Sequence, residues 1–401
     1  MKYIVILGDG MADRPVPELG GLTPLQKARK PNMDFIAKNG FMGLVRTIPK
    51  GMPPGSDTAN LSVLGMDPGI YHTGRSSLEA VNIGITLNKN DFAYRCNLVT
   101  IDGDIMSDHS AGEISTAEAK PLVEDLAKAL NIELHLGTSY RHCLVTRDGK
   151  PGSVTVPPHD FTGQKFTNRF PQGENGEFFT SLIKKSRGIL ENHPINLERI
   201  RQGKNPANSI WIWGEGKAPT LPSFYDKYSL RGTVISAVDL IKGIGLSIGF
   251  ESINVIGATG TLYTNYAGKA AAALEALKTR DFVYLHIEAP DECSHRGKLH
   301  DKILAIEYID EKIIAPVMEE INKRGHDYSI LVMPDHPTPL DIMTHTDDPV
   351  PFAYYRKNGN KPANFSITGF DENNAKKAGI YIESGHLLMD EFIIKQTAPR
   401  E

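Results

Sequence analysis

The sequence predicts an α/β fold: a mostly parallel sheet covered by helices on both faces, with a smaller inserted α/β (α+β) domain. Three observations lead there. Apolar runs such as Lys2-Tyr-Ile-Val-Ile-Leu7, Asp281-Phe-Val-Tyr-Leu-His-Ile-Glu288 and Ser329-Ile-Leu-Val-Met-Pro334 read as strands buried on both faces. Helical periodicity alternates with them, in the stretch that opens at Tyr266 and again over 302–322, where Ile303, Ile306, Ile309, Ile313 and Val317 recur at core spacing. That alternation is the pattern of a parallel sheet wrapped by helices. Finally, 401 residues exceed the usual size of a single core and imply two domains.

Taken in chain order, the first strand runs into Gly8-Asp9-Gly10, which places a carboxylate at its carboxyl end. Pro53-Pro54-Gly55-Ser56-Asp57 then fixes a turn, with Ser56 as the expected N-cap of a helix beginning near Asp57. The middle of the chain has its own signals. Residues 116–130 alternate apolar and charged positions at helical spacing, and Leu144-Val-Thr-Arg-Asp-Gly-Lys150 closes a strand in a tight turn. An insert over 80–244 is therefore expected, leaving a discontinuous core of 1–79 and 245–401. Within it, 159–176 reads as a long loop, either a lid or simply exposed. The glycines of Gly243-Ile-Gly245 read as tight turns or close helix packing, and Lys269, near a helix start, reads as solvated. Residues 395–401 are polar and expected to fray.

The chemistry is concentrated late in the chain. Asp291 and His295 lie four apart just beyond a strand and share one face of a helical turn. Asp335-His336 follows another strand, where open α/β sheets place their active groups, and Thr344-His345-Thr346 comes after it. Mixed oxygen and nitrogen donors suit Mn, Zn or Mg. Five such groups, with Asp9 in addition, exceed what one catalytic zinc takes from protein, so two metals are the simpler count. Ser56 is then either a helix cap or a metal-activated nucleophile at a helix N-terminus.

Gly8-Asp9-Gly10, Pro54-Gly55-Ser56-Asp57, Asp291 to His295, Pro334-Asp335-His336 and Thr344-His345 resemble the alkaline phosphatase superfamily, and within it the archaeal-type cofactor-independent phosphoglycerate mutases. The resemblance covers nearly the whole chain, including Thr23-Pro24-Leu25, Pro31-Asn32-Met33-Asp34, Gly74-Arg75-Ser76-Ser77-Leu78-Glu79-Ala80 and Asp347-Asp348-Pro349-Val350-Pro351. It implies an alkaline-phosphatase-like core and two divalent ions, Mn or alternatively Zn or Mg. One would be held by Asp9, Ser56, Asp335 and His336, the other by Asp291, His295 and His345. It also implies phosphoryl transfer through Ser56 between 2- and 3-phosphoglycerate, a glycolytic reaction run without 2,3-bisphosphoglycerate.

In the insert, His109 is a candidate acid or base and substrate contact, and Arg141 a candidate fork for phosphate or carboxylate. Here the chain departs from the family pattern. Asp108-His109-Ser110-Ala111-Gly112 stands where an arginine-rich stretch is usual, and Trp213-Gly214-Glu215-Gly216 where Arg-Gly-x-Gly is usual. Fewer arginines alter the anion count of the substrate, which keeps open a homoserine kinase of the same superfamily. Against the kinase, the chain has no Walker A sequence and no strand followed by Gly-x-Gly-x-x-Gly.

Composition excludes other classes. With 40% hydrophobic and 23% charged residues and a net charge of −4, the chain is an ordinary globular protein with no basic bias toward nucleic acid or membrane surfaces. No apolar run approaches the ~20 residues of a membrane span, and the N-terminal run is too short for a signal peptide. Three widely spaced cysteines, Cys96, Cys143 and Cys293, suggest reduced thiols and a cytoplasmic location; Cys293 reads as a small filler between two ligands. The expected partner is a small phosphorylated substrate.

Overall fold

The structure, a computed structural model, describes residues 1–359 and 367–394; the segment 395–401 lies outside the described residues. The chain forms two compact units, one of 1–72 with 221–401, the other of 73–220.

The strands in chain order are β1 (Lys2–Gly8), β2 (Phe41–Val45), β3 (Phe92–Asp102), β4 (Ile105–Asp108), β5 (Glu133–Thr138), β6 (Arg141–Thr146), β7 (Ser153–Val154) and β8 (Gln172–Gly173). They continue with β9 (Ser209–Lys217), β10 (Gly232–Ile235), β11 (Glu251–Ile253), β12 (Phe282–Ile287), β13 (Tyr328–Met333), β14 (Val350–Arg356) and β15 (Tyr381–Ile382).

The core unit is built on one sheet in the order β11-β10-β12-β1-β13-β14-β2-β15. Among the described residues only the two pairings of β14 are antiparallel. Every residue of β12 and β13 is buried, as expected of strands covered on both faces. On one face Ile4, Ile6, Val283, Leu285, Ile330 and Val332 pack with Ala270, Ala273, Ile306, Ile309, Ile313 and Val317 from the helices that follow β11 and β12. On the other, the helix Asp239–Ser247 approaches β10 so closely that a Cβ on Gly245 would lie 2.5 Å from Val234 Cγ1, so this glycine serves packing.

The single helix expected over 302–322 is instead Leu299–Ile309, a π-helical turn Asp310–Ile314, and Ala315–Lys323. Pro316 supplies no N–H to the ladder there, and Asp310 turns its carboxylate to the backbone N–H of Asn32 and Met33 at 3.3 and 2.7 Å.

The inserted unit is an antiparallel α+β structure, with order β4-β3-β6-β5 and β9 on the other edge of β3. Helices Thr116–Leu130 and Gly176–Leu190 bury Leu122, Leu126, Phe179 and Ile183 against Tyr94, Leu98 and Trp211. The first of these helices starts with a capping box of Ser115 and Glu118, a device worth about 1 kcal/mol.

The expected boundaries at 80 and 244 move to 73 and 220. Helix Arg75–Asn82 packs on β3 and β9 and so belongs to the insert, whereas β10 pairs with β11 and β12 and so belongs to the core. The expected loop 159–176 contains a 3-10 turn, Pro158–Phe161, and the short strand β8.

Candidate metal centre

Three adjacent parallel strands end at one level: Leu7 of β1 is opposite His286 of β12 and Met333 of β13. Asp9 and the pair Asp335-His336 therefore emerge side by side beyond the sheet. Asp335 is fully buried and held by three donors: Oδ1 accepts from the N–H of Gly10 (3.2 Å) and His336 (2.9 Å), and Oδ2 from Asn60 Nδ2 (2.9 Å). Asn60 is itself oriented, because its Oδ1 accepts from Tyr284 Oη at 2.5 Å.

Ser56 is the first residue of helix Ser56–Val63, not its cap. Gly55 holds the cap position and makes no side-chain capping bond. The Ser56 hydroxyl lies instead 3.1 Å from His336 Nε2.

The hydrogen bonds fix where lone pairs remain. Thr338 Oγ1 donates to Asp291 Oδ1 at 2.5 Å, so it accepts from His336 Nδ1 at 3.3 Å and leaves His336 Nε2 without a proton. That lone pair lies 3.4 Å from Asp9 Oδ1 and 3.5 Å from Asp335 Oδ2. Asp9 Oδ1 is buried and accepts no hydrogen bond among the described residues. A second group repeats the logic. His295 Nδ1 faces the carbonyl of Met343 at 2.9 Å and must donate to it, so a neutral His295 presents a bare Nε2, 3.1 Å from Asp291 Oδ2 and 2.9 Å from His345 Nε2. His345 Nε2 is in turn 3.4 Å from Asp291 Oδ1. Gly10 permits this crowding: at φ +62°, a Cβ there would lie 2.6 Å from Thr338 Oγ1 and 2.7 Å from Asp291 Oδ1.

Acceptors that converge without donors need a proton or a cation. Burial pushes the Asp9 carboxyl well above its ordinary range, with Asp335 and Asp291 adding to the shift. Burial likewise lowers His336, and takes His286 down to about 3. For Asp291 the upward pull of burial is outweighed by the imidazoles of His295 and His345, which hold it well below the carboxylate range. The hydrogen bond that a protonated His295 makes to Asp291 raises this imidazole to about 9. The donor atoms of Asp291, His295 and His345, and those of Asp9, Asp291 and His336, lie within 4.8 Å of one another in each set. A set of oxygen and imidazole donors fits Mn, Zn or Mg.

The structure thus gathers Asp9, Ser56, Asp335 and His336 in one group, with Asp291, His295 and His345 beside it. Sequence reasoning missed Asn60, Thr338 and His286. Asn60 was within reach, because it is four residues from Ser56 on the same helix face. Lys269 is a correction: its side chain is 0% exposed, not solvated, and donates to the carbonyl of His286 at 3.0 Å. Burial lowers its pKa to about 8. Cys293 is buried, with burial raising its thiol to about 11, and it is in none of the donor sets.

In the inserted unit, His109 and Arg141 both flank Tyr140. The imidazole lies 5.9 Å from its ring and the guanidinium 5.6 Å. His109 Nδ1 is 3.1 Å from Thr162 Oγ1, and His159 stands between His109 and Trp213 at 6.0 and 5.3 Å. Asp108 is a turn cap here, accepting from Ser110, Gly112 and Asn205. Arg141 is exposed and makes no ion pair among the described residues.

The core sheet with carboxylates and imidazoles at its parallel strand ends, and a serine opening a helix beside them, defines an α/β protein with a candidate metal centre at the carboxyl edge of its sheet. The chain is 51% identical over 384 residues to the 2,3-bisphosphoglycerate-independent phosphoglycerate mutase of Methanosarcina barkeri (strain Fusaro), covering 95% of this chain and 96% of that one. It belongs to the 2,3-bisphosphoglycerate-independent phosphoglycerate mutase family, whose sequence model matches residues 37–196. Among solved structures, a Pyrococcus horikoshii protein aligns with a TM-score of 0.83 at 30% identity, over 100% of this chain and 99% of that one. The cofactor-independent phosphoglycerate mutase of Thermoplasma acidophilum aligns with a TM-score of 0.66 at 25% identity, over 99% and 100%. No helix among the described residues is long and apolar enough to cross a membrane.

Proposed function

We propose that the protein is a metal-dependent phosphoglycerate mutase that interconverts 2- and 3-phosphoglycerate through phosphorylated Ser56. The observation that carries this reading is the Ser56 hydroxyl, 3.1 Å from the bare Nε2 of His336, which itself lies 3.4 Å from the buried Asp9 Oδ1, an acceptor without a hydrogen bond among the described residues. Asp9, Ser56, Asp335 and His336 would hold one divalent ion, and Asp291, His295 and His345 the other, with Mn the first candidate. Bound divalent ions supply Lewis acidity, lowering the serine's pKa and offsetting charge on the phosphoryl oxygens.

The chain's own groups do the rest. Ser56 Oγ gives up its proton and forms a bond to phosphorus as the bond from phosphorus to the glycerate oxygen breaks, and that oxygen takes up a proton. In the second step the neighbouring glycerate hydroxyl gives up its proton and attacks the phosphoserine, and the released Ser56 oxygen takes a proton back. No water or nucleotide is consumed. His109 is assigned the proton transfers and Arg141 the substrate's anionic end. The Methanosarcina barkeri and Thermoplasma acidophilum relatives carry mutase names, which gives the homoserine kinase alternative no support.

The test is Mn-loaded protein with 3-phosphoglycerate and no nucleotide, followed by phosphorus NMR, with homoserine plus ATP in parallel. Formation of 2-phosphoglycerate above ~1 per second, the low end of common turnover, supports the mutase. A silent first tube with phosphohomoserine in the second would replace it with the kinase.

A further inference from the structure

We propose that His286, locked by Ser236, is a positioning residue that decides which oxygen of Asp9 is presented to a metal ion; the inference rests on the metal reading given above. His286 lies in β12, where all six residues are buried, and its own side chain is 0% exposed. An imidazole in such a place is costly unless both ring nitrogens are paired. Both are. As an ionised, cation-binding carboxylate Asp9 can only accept, so the ring proton sits on Nε2, which donates to Asp9 Oδ2 at 3.0 Å. Nδ1 then accepts from Ser236 Oγ, 3.1 Å away, whose oxygen in turn accepts from the N–H of Val238 at 2.9 Å. The opposite tautomer would set a lone pair against the carboxylate and strand the serine proton. The backbone here is braced as well, by the buried Lys269 at 3.0 Å from the His286 carbonyl.

The consequence is a division of labour between the two oxygens of Asp9. Oδ2 is committed to His286. Oδ1 accepts no hydrogen bond among the described residues and is the oxygen 3.4 Å from His336 Nε2. Without the imidazole donor, the carboxylate could rotate and share both oxygens. Hydrogen bonds to a ligand's far side commonly set metal affinity by one to two orders of magnitude.

The experiment measures the Mn dissociation constant of the full chain, from the electron paramagnetic resonance of free Mn, in the wild type and four variants. His286→Leu is expected to weaken binding on the order of 10- to 100-fold. His286→Gln, which keeps an N–H toward Asp9, should recover most of that loss, and Ser236→Ala should show a smaller weakening. Thermal unfolding of the metal-free variants checks folding; if His286→Leu does not fold, His286→Gln and Ser236→Ala carry the test. Wild-type affinity in His286→Leu, or His286→Gln as weak as His286→Leu, overturns the role of the imidazole donor. Wild-type affinity in Ser236→Ala overturns the lock. Asp9→Asn separates the two levels: if it binds Mn as the wild type does, the metal reading itself fails, whereas its loss of Mn beside an unaffected His286→Leu sinks only this inference.

Discussion

In the core unit Asp9, Asp291, Asp335 and His336 at the sheet's carboxyl edge are buried and fix one another, whereas in the inserted unit His109, Arg141, His159 and Trp213 gather on partly exposed surface. Asp335 shows the first condition, with no exposure and three donors on its two oxygens. Arg141 shows the second, an exposed guanidinium with one aromatic neighbour and no ion pair among the described residues. At low dielectric a lost partner leaves an uncompensated group, so a buried network changes as a whole or not at all. An exposed cluster can exchange one side chain for another at little cost in stability. On the proposed function, the core holds the chemistry constant and the insert is where substrate preference can drift.

That contrast can be broken by experiment. The largest effect is expected in the core: Ser56→Ala should lower turnover on the order of 10⁴-fold or more while the protein stays folded. Retained activity would remove the phosphoserine step. Next come Asp335→Asn and His295→Ala, each of which should lose bound Mn by elemental analysis; full metal content in both would remove the two-metal reading. In the insert the expected effect is smaller and of another kind. Arg141→Ala should raise KM roughly 10- to 100-fold, the worth of a charged hydrogen bond, and leave Mn content unchanged. Arg141→Lys should restore little of this if the fork matters. A fall in kcat with constant KM would instead place Arg141 outside substrate binding.

How much the sequence disclosed follows the same division. Asp9 and Asp335 were legible because a buried apolar strand has few places for a charge other than its end, and Asp291 with His295 because a helical turn brings i and i+4 together. Lys269 and His286 were not, since both are polar groups in apolar surroundings whose partners come from distant elements: the His286 carbonyl for Lys269, and Ser236 and Asp9 for His286. Ser56 was placed on the right helix but one position early, because turn residues mark a helix start without saying which residue spends its hydroxyl on the backbone. The insert's boundary was missed by seven residues at its start. Helix Arg75–Asn82 carries Glu79, which is paired with Arg95 of β3, a contact between residues 16 apart that periodicity does not reveal.

Two carboxyls outside both clusters give the finest test of the comparison, because their pKa shifts run in opposite directions. In the insert, burial would raise Glu79, but Arg95 and Arg75 outweigh it and hold the group near 2, against an ordinary 4.5. Its stabilisation is present above pH 4.5 and is lost as pH falls toward 2. Glu79→Gln should therefore cost on the order of 3 kcal/mol at pH 7 and little near pH 2. In the core unit, burial lifts Glu372 to about 7, despite hydrogen bonds from Thr23 Oγ1 and the N–H of Asp13. Here stability is complete below pH 4.5 and declines as pH rises through 7, since the buried carboxyl must then ionise. Glu372→Gln should gain roughly 1–2 kcal/mol at pH 8 and nothing at pH 4, because the amide stays neutral throughout. Hydrogen exchange resolved by peptide assigns each effect to its unit: acid should loosen 73–220 first, and mild base the segments around Thr23 and Glu372. If Glu372→Gln fails to stabilise at pH 8, the carboxylate is already solvated or paired when ionised, and the picture of a core edge whose polar groups are dry does not extend to that side of the sheet.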